Sequence, residues 1–367
     1  MKVLYDHQSF TGASYGGVSR YFFELLRSFA KRDDIEFELS LRFSNNEYLD
    51  QESFSRHFRF RPLAHLQNVN RLASMLNRIH SVQRLQKAKF DIFHPTYYHK
   101  YFLNYINGKP FVLTFHDATS ERYGHQYPEL GENLNEVKKV LIKKADRIIS
   151  VSEYSKQELL TFYNIDPDKI KVIHLGTSFA HYRPKQVTAP FEFPYLLYVG
   201  KRPLYKNFPD FFRAIQPVLH RHSDIHLVCA GGGAFTRAEQ DLFHAARLGH
   251  RVHYRPVTDS ALYGLYQHAL AFVFPSLNEG FGIPVLEAFS CGCPAVLSNR
   301  SSLPEVGGDA AVYFDPDDDA SMADVVERII TDDSLRNDLR WKGAERIRLF
   351  SCEKTAQQTY QVYKELV

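Results

Sequence analysis

Two carboxylates with seven residues between them, Glu279 and Glu287, stand in the stretch 274–296, FPSLNEGFGIPVLEAFSCGCPAV. An apolar run leads in, and Gly280, Gly282 and Pro284 rule out a helix continuing through the turn. Pro284 suits the start of a helix, which predicts Glu279 on the loop and Glu287 in the first turn. Backbone N–H groups of Phe281, Gly282 and Ile283 can then approach a ligand, and the positive end of the helix favours an oxyanion such as a diphosphate. Glu287 also has a plain structural account, complementing the helix dipole for a few tenths to about 1 kcal/mol.

Cations gather at a second place. In 198–214, YVGKRPLYKNFPDFFRA, a strand-like run ends at Gly200, and a loop carrying Lys201, Arg202 and Lys206 precedes a helix. Arg202 is the favoured phosphate partner of Lys206, because its fork binds two oxygens side by side; Lys201 is the second choice. Gly16 and Gly17, in TGASYGGVSRYFFELL at 11–26, would let the backbone near a sugar phosphate at the start of a helix. Their spacing is not G-x-G-x-x-G, and Leu39, Ser40 and Leu41 occupy the place of a ribose-binding acid, so NAD is disfavoured. His116 closes the apolar run FVLTFHD and is followed by Asp117; a lone histidine there is more often structural than functional.

These residues need elements to hold them. Short apolar runs at 3–5, 36–41, 91–94, 111–115, 147–151 and 170–174 alternate with helical stretches at 18–30, 133–144 and 155–163. The alternation stops at 183–194 and restarts with runs at 195–199, 225–230, 252–254, 271–274, 295–297 and 311–314. Such a pattern predicts two α/β domains, each a doubly wound, Rossmann-like parallel sheet covered on both faces. At 367 residues the chain is long enough for two cores. The expected division is 1–185, 186–350 and a final helix, 351–367, across the domain junction. Ligands of such sheets sit beyond the carboxyl ends of the strands, which favours a cleft between facing domains.

Composition narrows the function. A net charge of +3 and the ordinary apolar share fit a globular protein without a nucleic-acid partner. Cys229, Cys291, Cys293 and Cys352 lack paired spacing and read as reduced thiols of a cytoplasmic protein. The opening MKVLYDHQSF is not a signal sequence, and no run is long enough to span a membrane. Asp315, Asp317, Asp318 and Asp319 beside Pro316 read as a turn after the apolar run, and no metal is expected. From Ser55 to Lys89 there is no acid, and Arg56, Arg59, Arg61, Arg71, Arg78, Arg84, Lys87 and Lys89 interleave with Leu63, Leu66, Val69, Leu72, Leu76, Ile79, Val82 and Leu85 at helical spacing. This is either a surface helix packed by its apolar stripe or a docking face for an anionic membrane or a lipid-pyrophosphate acceptor.

The E-x7-E pair, Glu279 to Glu287, resembles that of the family 4 retaining glycosyltransferases of GT-B fold, including bacterial polysaccharide mannosyltransferases. The resemblance extends to 198–214 and to His116, and implies a hexosyltransferase that uses a nucleotide diphosphate sugar as substrate and no further cofactor. It implies that Glu279 meets donor sugar hydroxyls, Glu287 the ribose diol, a basic pair with Lys206 the diphosphate, and His116 the anomeric centre. Gly232 in GGGAF and Val257 in RPVTDSAL correspond to segments around the base. GDP-mannose is favoured over UDP-sugars, and the acceptor is a glycan or lipid-linked oligosaccharide bound by the first domain. A GT-B phosphorylase, a sugar-phosphate synthase, or a non-catalytic nucleotide or glycan-binding module remains the alternative.

Overall fold

The computed structural model describes residues 1–12, 14–50, 52–60, 67–182, 184 and 189–367. Arg61, Leu63 and Leu66 of the basic stretch, and positions 183 and 185–188 of the linker, lie outside the described residues. The chain forms two compact units: Met1–Gly176 joined by Cys352–Val367, and Thr177–Ser351.

In the first unit the parallel strands are β1 (Lys2–Tyr5), β2 (Glu36–Leu39), β3 (Ile92–His94), β4 (Val112–Phe115), β5 (Arg147–Ser150) and β6 (Ile170–Val172). They pair as β2-β1-β3 and β4-β5-β6, and one parallel bridge, Phe93 to Phe111, links the two sets. Leu4, Phe93, Phe102, Phe111, Phe115 and Ile148 build a shared core, which is why β1, β3, β4 and β5 read as largely apolar runs. The helix Cys352–Lys364 returns to this unit and packs on the helix Gly17–Phe29. Its Tyr363 hydroxyl lies 2.6 Å from both the Tyr5 hydroxyl and His94 Nδ1. Such fully buried polar groups need one another as partners, so they fix where the last helix sits.

The helix Gln67–Gln86 faces the other way from a core-packing amphipathic helix. Ala73, Asn77, Ser81 and Leu85 are buried, while Leu72, Met75, Leu76 and Ile79 are exposed. The loops beyond β1 and β2 explain the preference for polar side chains inside. Asn77 Oδ1 accepts from the amides of Arg42 and Phe43, its Nδ2 donates to Thr11 Oγ1, and Ser81 Oγ bonds His7 Nδ1 and Ser40 Oγ. Unpaired, these buried backbone groups would each cost about 1–3 kcal/mol.

In the second unit one parallel sheet runs β12-β11-β10-β7-β8-β9, with β7 (Tyr195–Val199), β8 (His226–Ala230), β9 (Val252–Arg255), β10 (Ala271–Phe274), β11 (Ala295–Ser298) and β12 (Ala311–Phe314). The order reverses between β7 and β10, which places a candidate binding place beyond the carboxyl ends of those two neighbouring strands. Tyr198, Phe208, Phe211, Phe212 and Phe243 pack beneath the sheet, which accounts for much of the aromatic content in this half.

Candidate active site

The loop beyond β7 bends sharply. Gly200 has φ +116° and Asn207 has φ +56°, a left-handed conformation that asparagine tolerates. The bend delivers Lys206 toward the loop beyond β10, where its Nζ lies 2.5 Å from Glu279 Oε1. Both side chains keep partial access to solvent. Leu277 N donates to Tyr205 O at 2.8 Å, so the two loops are also tied through backbone.

Glu279 is braced from beneath. Its N–H donates to Ser301 Oγ at 3.0 Å, and Ser302 Oγ donates to the carbonyls of Glu279 and Phe281. Gly282, at φ +97°, turns the chain into the helix Ile283–Ser290, with Pro284 in its first turn. A Cβ at Gly282 would stand 3.0 Å from Leu303 Cδ2, so closeness as well as backbone conformation selects glycine. Glu287 falls one residue past the first turn instead of within it, because the helix starts at Ile283 and its first turn holds no acid. It is buried and accepts a 3.2 Å bond from Tyr266 OH. Burial, and then the Glu287 charge, push the Tyr266 phenol well above its ordinary range, so it stays a donor.

Lys201 is exposed, whereas Arg202 is only 2% exposed. Arg202 Nε donates to Glu239 Oε1 at 2.6 Å, Nη1 to Gly231 O at 3.2 Å, and Nη2 to Gly233 O at 2.8 Å and Ala234 O at 3.1 Å. Its guanidinium also lies over the Phe235 ring. The Arg202 donors are thus engaged within the protein, whereas Lys201 on the same loop is exposed. Gly231, Gly232 and Gly233 all have positive φ, and Val257 borders Gly231.

In the first unit, Gly16 and Gly17 are exposed at the start of the helix Gly17–Phe29, which has no side-chain cap. The next turn packs Tyr21 and Phe22 edge-on against the His116 ring. His116 ends β4, and its N–H donates to Tyr98 OH at 2.9 Å. Burial chiefly, with Lys138 adding and Asp117 opposing, lowers His116 to about 4, so the ring is neutral at ordinary pH. Burial raises the Asp117 carboxyl, but the Lys138 charge and bonds from Thr119 outweigh it and leave it below its usual range.

Lys138 is a buried cation that sequence reading missed, since a lysine in a helical stretch reads as solvated. Its Nζ donates to Asp117 O, Ser120 Oγ and Glu121 Oε2 at 3.0–3.1 Å, and Tyr163 OH donates to the other Glu121 oxygen. In the acidic run after β12, Arg300 pairs with Asp315 and Asp317, and Asp318 caps the helix Asp319–Thr331.

Two family models match consecutive parts of the chain: Glycosyltransferase Family 4 over residues 15–181, and Glycosyl transferases group 1 over residues 183–346. The O-antigen chain mannosyltransferase B of Escherichia coli is 30% identical across 95% of this chain and 96% of its own. The chain is a GT-B glycosyltransferase. A D-inositol 3-phosphate glycosyltransferase of Corynebacterium diphtheriae is 23% identical over 95% of this chain and 89% of its own. Among solved structures, the sucrose-phosphate synthase of Thermosynechococcus elongatus superposes with a TM-score of 0.80 at 21% identity, covering 100% of this chain and 98% of that one. Anabaena HepE in complex with UDP and glucose superposes at 0.74 and 17% identity, covering 100% and 99%. This glycosyltransferase is thus a hexosyltransferase that takes its sugar from a nucleotide sugar. Among its described residues no helix is long and apolar enough to cross a membrane.

Proposed function

We propose that this glycosyltransferase moves a mannosyl residue from GDP-mannose to a glycan or lipid-linked acceptor, with retention at the anomeric carbon and without a metal or further cofactor. The observation that carries the reading is the Lys206–Glu279 pair at the reversal of strand order, with exposed Lys201 on the same loop and the start of a helix beside it. As the sugar–phosphate bond lengthens, the leaving diphosphate gains charge, and Lys201, Lys206 and the amides of Phe281, Gly282 and Ile283 stabilise it. Glu279 is then released to receive sugar hydroxyls, Glu287 takes the ribose diol, and Gly232 and Val257 border the base. In the first unit, the start of the helix Gly17–Phe29, with Gly16 and Gly17, and the neutral His116 ring are the groups assigned to substrate.

The Escherichia coli relative, an O-antigen mannosyltransferase matched almost end to end, supports mannose. The HepE complex with UDP and glucose supports the competing reading of a UDP-sugar at the same loops. Diphosphate release measured with GDP-mannose, UDP-glucose and UDP-galactose, each with a lipid-linked glycan acceptor, tests the choice; turnover of a UDP-sugar alone would overturn GDP-mannose. NMR of the product's anomeric proton tests retention.

The acceptor side carries a second element of the reading. Leu72, Met75, Leu76 and Ile79 form an exposed apolar face, with exposed Arg71 and Arg78 beside it. Those features support peripheral contact with an anionic membrane surface, where a lipid-linked acceptor would reside.

A further inference from the structure

Arg202 has the chemistry of a phosphate-binding fork, yet its bonds all run to the loop beyond β8 and to the helix that follows it. Apart from the Gly231 amide, which donates to Arg255 O at 2.9 Å, little else holds that loop. Gly231, Gly232 and Gly233 adopt φ of +72°, +71° and +90°, and glycine carries the largest backbone freedom of any residue. Gly232, Gly233 and Ala234 are exposed, so packing does not hold them. Backbone alone abuts the neighbouring loop: a Cβ at Gly232 would stand 2.2 Å from the carbonyl oxygen of Gly200. One guanidinium, anchored to Glu239, gathers the carbonyls of Gly231, Gly233 and Ala234 and lies 5.0 Å above the Phe235 ring.

The anchor is itself fixed. Glu239 accepts from the amide and hydroxyl of Thr236 and closes the capping box of the helix Arg237–Ala245. Burial raises its carboxyl, but Arg202 and Thr236 more than offset this and keep it ionised.

We propose that Arg202 is a positioning residue for the nucleotide: it braces the 231–234 loop in the shape that receives the base end of a nucleoside diphosphate, and leaves the diphosphate to Lys201 and Lys206. The proposal rests on the reading above in which the base lies against this loop. It makes Arg202 act on donor affinity, whereas a direct phosphate grip would act on the transition state and hence on kcat.

The experiment compares Arg202→Met and Glu239→Ala with wild-type enzyme. Amide hydrogen exchange over 231–235 should quicken at least tenfold in both variants. Whichever of GDP and UDP the wild-type enzyme binds should bind both variants at least tenfold more weakly, while inorganic pyrophosphate changes less than threefold. The donor KM should rise with kcat within threefold. Glu239→Ala keeps the question open to decision even if Arg202→Met fails to fold, because it removes the anchor and leaves the cation. If Arg202→Met loses pyrophosphate and nucleotide alike, tenfold or more, Arg202 is a diphosphate ligand and the brace is overturned. Unchanged exchange in Glu239→Ala overturns it too. Faster exchange with nucleotide affinity intact overturns instead the placement of the base against this loop.

Discussion

Lys206 Nζ and Glu279 Oε1 are 2.5 Å apart although 73 positions separate them in the chain. β7 and β10 are neighbours in the sheet, and the loops that leave them converge. With no donor bound, each charge satisfies the other. A bound sugar diphosphate would give Lys206 a phosphate and Glu279 the hydroxyls.

Replacing Lys206 with Ala is expected to lower transfer at least a hundredfold, the scale for one lost transition-state donor. The protein should stay folded, since both side chains keep some access to solvent. Steady-state turnover together with a thermal melt checks both. Near-normal kcat in a folded variant removes Lys206 from the diphosphate.

Metal independence is tested directly by EDTA. Asp315 and Asp317 already pair with Arg300, and Asp318 serves as a helix cap. Initial rates of transfer in excess EDTA should match those in its absence, apart from any effect on product release. Activity that vanishes and returns only with manganese or magnesium would reveal a ligand set formed by other residues.

Acid should destabilise the first unit through two histidines. Burial holds His94 at about 3; His116, faced by Asp117, Lys138, His94, Tyr98 and Tyr21, sits at about 4. Unfolded, both take up protons near 6.5. The folded state therefore binds fewer protons below that pH. Stability is intact above 6.5 and falls as pH falls, by about 1.4 kcal/mol per unit for each histidine, until about 4 for His116 and about 3 for His94. Urea unfolding at pH 5 and pH 6 should show, in His94→Gln, a slope smaller by about one proton than in wild-type. Equal slopes would place the acid sensitivity elsewhere.

The Lys138–Glu121 pair is almost wholly buried. Lys138→Met strands the carboxylate and should cost about 3–5 kcal/mol, the range for breaking a buried pair from one side. Adding Glu121→Gln removes the stranded charge and should recover more than half of that loss. A double variant no more stable than Lys138→Met would mean that Lys138 acts through the Asp117 carbonyl and Ser120 alone.

Membrane contact has its own assay. The enzyme should sediment with anionic liposomes at low salt, far less at high salt, and little with neutral ones. Leu72→Asp with Ile79→Asp should abolish sedimentation and leave release of the nucleoside diphosphate intact. Arg84 is a poor target, because it is paired with Glu38. Wild-type enzyme that ignores anionic vesicles at low salt makes a soluble acceptor the better reading.

The sequence by itself determined the elements. Inner strands of a parallel sheet must be apolar on both faces and edge strands on at least one, and each of the twelve runs read from the sequence matches a strand to within two residues at either end. Glu279, Gly282 and Pro284 were legible for a related reason: glycine and proline act on their own backbone, and the turn they force is local. Tertiary structure alone decided what long-range partners fix. Lys201 and Arg202 are adjacent cations with nothing local to separate them. Glu239 and three carbonyls beyond β8 draw Arg202 inward, while Lys201 stays exposed. Lys138 became a buried cation because the Asp117 carbonyl, Ser120 and Glu121 meet it from another segment, and the helix Gln67–Gln86 turned its polar side inward because the loops after β1 and β2 had amides to satisfy. Periodicity records which residues share a face; which face is buried depends on what the rest of the chain leaves unpaired.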